Sequence, residues 1–599
     1  MAGTPMAGTA SAGTGTGKAD ARPARWRRRG RIARHEWTVA AVLAVALAAV
    51  MTWPALAHPT TSLPVDWGDP TLVAWGMAWD GHALLTNPLH LWDANAFYPE
   101  RYSLAFSDSL LGYAPAGIIG RGLAAALLRY NLMFVLAFAL ASFGAYALAR
   151  QLGALRIGAA IAGVAFAYAP WRAGQITHLH VLSSGGIVLA LAMLARGHGW
   201  SFRSGRSGPL RPGWVWAGWA VAAWQVTLGF GIGLAFVYVM LAGFVVASGR
   251  YGYACFRSRR VRPANPRLFW ANLGGAAVFG AVTVLMSLPY VQVAHLHPDN
   301  ARTIGYIALF SPHLTDLGVA PKGSWLWGSL GAGARASMRF PDESSLMPGL
   351  AVSVLAVVGL VFSAWRPRWR IALAAGAIAA AALALGPNLP GGGNPGYVTL
   401  FHVLPGWDSM RTPGRLVLWV SLPLGLLAAG AVTAALTRLR PAPGTARRGW
   451  PRRAAGPVVA LLVLAFVAVE GVTTTPYGKL PQFSLPSGSV AEPMLILPLK
   501  TYLDNLALVS TTDAFPRMPN GASGIVPHSQ DLIVSATRNF PDAASVAYLR
   551  RMGIRTVVVL AGEPDLSGHV IDVGKPIDGL GITRTVVNIP ATAYIYHLS

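Results

Sequence analysis

The sequence predicts a polytopic α-helical membrane protein of about eleven transmembrane helices, followed by a small extracytoplasmic α/β domain at the C-terminus. Three observations predict it. Of 599 residues, 54% are hydrophobic and only 12% charged, too much apolar surface for ordinary soluble domains to hide from water. Apolar runs of 16 to 22 residues recur between short basic stretches, the pattern of membrane spans and their loops. From about residue 476 that pattern stops, and the chain reads as ordinary soluble protein.

The net charge of +25 would suggest nucleic acid if the basic residues lay on a folded soluble surface, but here most sit between apolar runs and mark topology. Arg outnumbers Lys 43 to 5, which follows codon usage in a GC-rich genome. The single cysteine, Cys255, excludes an intramolecular disulfide and any multi-Cys metal site. There is no nucleotide-binding loop, ATPase motif or nucleophile elbow.

In chain order, residues 1–36 read as a disordered basic cytoplasmic tail. The first part repeats Ala, Gly and Thr and has little to bury. Arg22, Arg25, Arg27, Arg28, Arg29, Arg31 and Arg34 then precede the apolar run Trp37 to Ala57, so this end stays in the cytoplasm and the run crosses outward. Ala55-Leu56-Ala57 resembles a signal-peptidase site, but a run near 20 residues is long for a signal segment, and a retained anchor is expected. Further spans at 131–149, 157–171, 178–195, 214–230, 232–248, 269–290, 346–364, 371–386, 415–436 and 456–475 complete a bundle over 37–475. Threaded this way, cytoplasmic segments carry 29 Lys and Arg and outer loops 10, as the positive-inside rule requires.

The run Leu110 to Leu128 is apolar enough to span but is broken by Pro115, Gly117, Gly120 and Arg121. If it crossed, every later basic loop would change sides, so it is placed as an interfacial or re-entrant helix on the outer face. The odd number of spans leaves 476–599 outside, with a helix over 543–552, a turn at Gly553 and strands at 493–499, 555–560, 583–589 and 592–598.

The candidate chemistry lies in outer segments. The first outer loop, 58–109, holds Asp66, Asp69, Asp80, His82, Asp93 and Asp108, five aspartates in a chain with only 23 acidic residues; Trp75, Trp79, Leu84, Leu85 and Leu89 suit a helix lying in the headgroup plane. Asp69 before Pro70 also reads as the N-cap of that helix. Arg411 and Arg415 are cations placed where the chain re-enters the membrane. Arg172, His178 and His180 form a second polar group at an outer turn, with Glu343 before a later span. Spacing of two puts His178 and His180 on different faces of a helix, which argues against a metal pair, and His295 and His297 have the same spacing. Glu470, near the end of the last span, is an acidic group of the kind that faces a cavity.

Beyond these residues, the segments VDWGDPTLVAW, NPLHLWDANAFYP, YAPWRAGQITHLH, SMRTPGR and YLRRMGIRTVVV, on a long first outer loop opening with aspartate and an outer C-terminal domain, resemble the GT-C superfamily of polyprenyl-phosphate-sugar-dependent glycosyltransferases, in particular large bacterial YfhO-like membrane proteins. The resemblance covers nearly the whole chain in architecture. It implies transfer of a hexosyl or pentosyl group, at the bacterial plasma membrane, from a polyprenyl-phosphate carrier to an envelope glycan, lipid or protein. It also implies a catalytic carboxylate, Asp69 first and Asp66 second, its pKa raised by apolar surroundings. Arg411 and Arg415, or Arg172 with His178 and His180, would stabilise the departing phosphate; Glu343, Asp80 and His82 complete the substrate-binding candidates. The sequence lacks the adjacent Asp-Glu pair of protein O-mannosyltransferases and the WWDYG motif of oligosaccharyltransferases. No metal ligand set is apparent; a divalent cation would have to sit on the loop aspartates with help from substrate phosphate. The alternatives are a lipid-linked glycan flippase, disfavoured by the absence of internal repeats and of charged residues within the spans, and a non-catalytic envelope-assembly scaffold.

Overall fold

The computed structural model of the protein describes residues 21–258, 265–439, 450–481, 490–589 and 591–598. The tail expected to be disordered lies outside the described residues as far as residue 20. From Ala21 the chain is already helical, in α1 (Ala21–Met51), so residues 21–36 extend the first helix rather than form part of a disordered tail; Ala and Arg, which dominate the segment, are both good helix formers.

The helices that follow are α2 (Gly68–Thr86), α3 (Gly122–Leu152), α4 (Arg156–Ala167), α5 (Gly185–Gly197), α6 (Pro212–Leu228), α7 (Phe230–Ser258), α8 (Pro266–Leu296), α9 (Leu350–Val361), α10 (Pro367–Ala384), α11 (Leu418–Arg438) and α12 (Trp450–Glu470). Among the described residues, five segments are long and apolar enough to cross a membrane: Gly122–Leu152, Leu179–Gly197, Phe230–Ser258, Pro266–Leu296 and Pro413–Arg438. His35–Met51, Leu350–Val361 and Ala455–Glu470 are shorter apolar helices. At 12 residues, α4 is only about 18 Å long, well short of a hydrocarbon core of about 30 Å. The chain makes up that distance with the irregular segment 168–184.

The run 110–128 does not form one continuous helix. A 3-10 turn, Leu111–Tyr113, and a short helix, Ala114–Gly117, hold it at the end of the bundle where α2 lies, and α3 starts only at Gly122, whose φ of +80° suits glycine. Here α2 runs so close to this segment that a Cβ on Gly81 would stand 2.1 Å from the carbonyl carbon of Gly117. Most of α2 is buried, from Pro70 to Ala83, while its end, Leu84, Leu85 and Thr86, and the following Leu89 are exposed. It is therefore a packed helix with an apolar tip, not one lying wholly in the headgroup plane.

After α12 come β2 (Tyr477–Lys479), which pairs with β1 (Ser62–Pro64), and then β3 (Met494–Leu497), α13 (Thr501–Ser510), α14 (His528–Thr537), α15 (Ala543–Arg551), β4 (Thr556–Leu560), β5 (Ile582–Ile589) and β6 (Ala591–Leu598). The sheet order is β3-β4-β6-β5, with β3 parallel to β4 and the other pairs antiparallel. Alternation along each strand divides its residues between two cores. Met494, Ile496, Val558, Ala593 and Ile595 pack into the main core, whereas Leu495, Leu497, Val557, Val559 and Tyr596 pack with Ile533, Val546 and Leu549 of α14 and α15.

This tail is locked onto the loop that carries α2. Met518 N–H donates to Asn95 O at 2.7 Å, Tyr98 N–H to Met518 O at 2.8 Å, and Asn505 Nδ2 to Gly68 O at 3.2 Å. Glu470 serves the fold: its carboxylate accepts from the N–H groups of Leu350 (2.8 Å) and Ala351 (3.0 Å) and from Trp327 Nε1 (3.0 Å). It caps the first turn of α9 rather than facing a cavity.

Candidate functional site

Asp69 stands in the first turn of α2, but the helix starts at Gly68 with no side-chain cap. The carboxylate turns instead to His178, whose Nε2 lies 3.1 Å from Oδ2. The capping role considered for Asp69 is not what the structure shows. Asp66 is exposed, has a left-handed φ of +87°, and accepts from Gly68 N at 3.3 Å. It shapes the turn into α2 and is not part of the cluster that Asp69 joins.

The histidines arrive on the segment between α4 and α5. After Ala167 the chain makes a 3-10 turn, Pro170–Gln175, and a four-residue helix, Leu179–Leu182. Arg172, expected to meet substrate, is the strut of this break: it is 2% exposed and donates to Phe166 O and Ser184 Oγ, each at 2.9 Å. His178 flanks the short helix and His180 lies within it, so the two rings are not held to opposite faces of one long helix; their centroids lie 5.7 Å apart, edge to face.

Behind His178 lies a buried ion pair. Glu343 Oε1 is 2.5 Å from Arg415 Nη2, and Oε2 accepts from Arg415 Nε at 3.2 Å and from Gln175 Nε2 at 2.9 Å. The His178 ring is 3.7 Å from Glu343 Oε1, and Arg415 Nη1 is 3.1 Å from His180 Nε2. Burial pushes the Glu343 carboxyl upward, but Arg415 and His178 outweigh it and hold the pKa at about 2. Burial likewise raises Asp69, yet the His178 hydrogen bond and the nearby His178, His180 and Arg415 outweigh it and hold it at about 2, opposite to the upward shift expected from apolar surroundings. Asp69 keeps 45% of its side-chain surface exposed against 16% for His178 and 11% for Glu343. A substrate therefore meets Asp69 first.

Asp69 lines a small cavity together with Asp108, Ser109, His180, Trp75 and Ser523. The sequence placed Asp108 among the aspartates of the first outer loop but gave it no catalytic or substrate-binding role. It caps a helix, accepting from the N–H groups of Phe230 (2.6 Å) and Gly231 (3.2 Å), and it also faces the cavity. A second, larger cavity, almost wholly apolar, runs along α3 from Met133 to Phe143, bounded by Ala44 of α1, Tyr113 and Leu228. Along the segment 107–116 the first cavity is lined up to Leu110 and the second from Gly112, so the two meet this segment at neighbouring residues.

Arg411 makes no ion pair among the described residues; its guanidinium lies 4.9 Å from the centre of the Phe310 ring. Arg302, which nothing in the sequence singled out, is partly buried within electrostatic reach of Arg411 and Arg415, and burial and these charges push its pKa down. A lone Arg in a loop carries no signal until folding brings two others beside it. His82 stacks on Phe515 at 4.5 Å, away from the cluster. Asp80 is fully buried with neither carboxylate oxygen hydrogen-bonded among the described residues, and burial pushes its pKa well up. Neither His82 nor Asp80 lines the cavity. Among the described residues no three His, Cys, Asp or Glu side chains form a group able to hold a metal ion. Arg415 stands between Glu343 and His180 in the one place where such groups cluster, so this donor set does not fit a divalent cation.

No family model matches the chain, and no curated protein matches it. Among solved structures it is similar to the arabinofuranosyltransferase AftD from Mycobacteria, at 17% identity and TM-score 0.44, over 94% of this chain. It is similar to the oligosaccharyltransferase from Archaeoglobus fulgidus, at 15% identity and TM-score 0.45, over 88% of this chain and 69% of that one. ArnT from Cupriavidus metallidurans aligns at 15% identity and TM-score 0.34, over 94% of this chain and 98% of that one. The chain spans 40% of the length of AftD.

Proposed function

We propose that this protein is a membrane glycosyltransferase of the GT-C type, moving a sugar from a polyprenyl-phosphate carrier to a hydroxyl acceptor of the cell envelope on the outer face of a bacterial membrane. The observation that carries the reading is an ionised, accessible carboxylate in a cavity that meets the segment 107–116 next to a long apolar groove. Six residues of α3 line that groove between Met133 and Phe143, a stretch of about 15 Å, enough for several isoprene units beside a head group held near Asp69. In the reaction the acceptor oxygen bonds to the sugar C1 as the bond from C1 to the carrier phosphate breaks. Asp69 takes the hydroxyl proton and the phosphate leaves with the electron pair. A carboxylate held near pKa 2 is ionised at neutral pH but weakly basic, so it accepts the proton late, when bonding to C1 has made the hydroxyl acidic. Arg302 and Arg411 receive the charge that develops on the phosphate, since Arg415 is committed to Glu343.

The test is release of polyprenyl phosphate by the full chain in nanodiscs, given labelled polyprenyl-phosphate pentoses and hexoses with envelope acceptors. Donor-dependent release with label on an acceptor supports transfer. Tight donor binding with no release from any donor would point to a flippase or scaffold instead.

A further inference from the structure

Arginine carries five N–H donors and no acceptor. Arg415 Nη1 lies 3.1 Å from His180 Nε2, so Nε2 must be the accepting lone pair and the ring proton must sit on Nδ1. An imidazolium would have no lone pair to offer. Arg415 is fixed in this pose by Glu343, which binds its Nη2 at 2.5 Å and its Nε at 3.2 Å. The approach of Asp108 Oδ2 to His180 Nε2 at 3.7 Å is therefore a contact with a neutral ring and not an ion pair.

Asp108 Oδ1 is taken up by the first two N–H groups of α7, which leaves Oδ2 as the acceptor beside the cavity. Next to it Ser109, 3% exposed, also lines the cavity, and its Oγ has no hydrogen-bond partner among the described residues. A hydroxyl can donate to one neighbour while accepting from another; Asp108 Oδ2, 3.7 Å from the bare Nε2 of His180, is an acceptor, and the Nδ1–H of the neutral ring is a donor.

We infer that the Glu343–Arg415 pair locks His180 in its neutral Nδ1–H form, and that His180 and Asp108 offer a donor and an acceptor to a ring hydroxyl of a substrate in the cavity that Asp69 lines. The ligand in this inference rests on the transferase reading; the tautomer does not. Around His180, the Arg415 guanidinium at 3.1 Å and the His178 ring stand against a positive charge on the imidazole, and the Asp108 carboxylate at 3.7 Å stands for one. The hydrogen bond from Arg415 decides between them. A site built this way rejects a ligand lacking the hydroxyl by about 10⁴-fold, because the buried donor and acceptor are then left unpaired.

The tautomer is tested by NMR of the full chain in nanodiscs with ¹⁵N-labelled histidine and no substrate, the His180 signals being identified by their loss in His180→Asn. The expected spectrum has Nδ1 protonated and Nε2 bare from about pH 6 to about pH 8. A proton on Nε2, or an imidazolium, at neutral pH overturns the lock. The hydroxyl is tested by transfer kinetics: His180→Asn keeps an amide N–H near the Nδ1 position and should leave the KM for donor or acceptor within about threefold, whereas His180→Gln moves it to the Nε2 position and should raise one of them at least about tenfold. Equal effects overturn the hydroxyl assignment. Absence of transfer by the wild type would instead sink the transferase reading, and the tautomer would still be judged by its spectrum.

Discussion

The His178 imidazole bridges two carboxylates, with Nε2 3.1 Å from Asp69 Oδ2 and 3.7 Å from Glu343 Oε1. The exposed carboxylate is thereby tied to a buried ion pair through one ring, and the charge state of the accessible group depends on groups that no substrate touches.

Replacing His178 by Ala removes the hydrogen bond that most lowers Asp69. Its pKa then rises from about 2 toward the ordinary carboxylate range, and the acid limb of the kcat/KM profile moves to higher pH by about one unit. A pH profile of the variant with an unmoved acid limb would show that His178 does not control Asp69.

Glu343 is held at about 2 against an ordinary value of 4.5, and Asp69 at about 2 against 3.8. Both folded-state values are depressed, so the stability they contribute is present above the ordinary carboxylate pKa and is lost as pH falls from about 4.5 toward about 2. The melting temperature in detergent should be nearly flat from neutral pH to about pH 5 and fall steeply below. Glu343→Gln, which leaves Arg415 buried and unpaired, should cost about 3–5 kcal/mol at neutral pH and flatten the acid decline.

The apolar groove makes a length-dependent prediction. Ala137, 3% exposed, lines it at mid-depth. Ala137→Trp should raise the KM for a long-chain carrier about tenfold, the cost of a few displaced methylenes, and leave a short-chain analogue unaffected. Equal effects on both carriers would mean that the chain does not enter the groove.

Arg302 makes no ion pair among the described residues and stands near Arg411. A charge-assisted hydrogen bond to a phosphate is worth about 1.5–3 kcal/mol, so Arg302→Gln should weaken binding of the donor or of free polyprenyl phosphate about 10- to 100-fold. Titration of the variant with free polyprenyl phosphate checks this without any turnover.

Much of this site could be read in the sequence because its parts follow from topology. Asp69, His178, His180, Glu343 and Arg415 all flank apolar runs at one end of the bundle, and charge asymmetry alone assigns them a common side. Which of them meet could not be read there, since the contacts join residues up to 235 positions apart, from His180 to Arg415. Arg172 shows the converse: its position in a turn suggested substrate, but folding spends its donors on Phe166 O and Ser184 Oγ. The sign of the Asp69 shift was lost for the same reason. Burial is legible from hydropathy, but the cations that outweigh it come from segments more than 100 residues away.

The most direct measurement is transfer from a labelled polyprenyl-phosphate sugar by Asp69→Asn, in membranes holding wild type and variant at equal levels. Asparagine keeps the shape and the hydrogen bond to His178 but cannot take a proton. A fall in kcat of about 10²-fold or more with donor binding preserved is the result the account predicts. Wild-type turnover by the variant would contradict Asp69 as the group that accepts the proton.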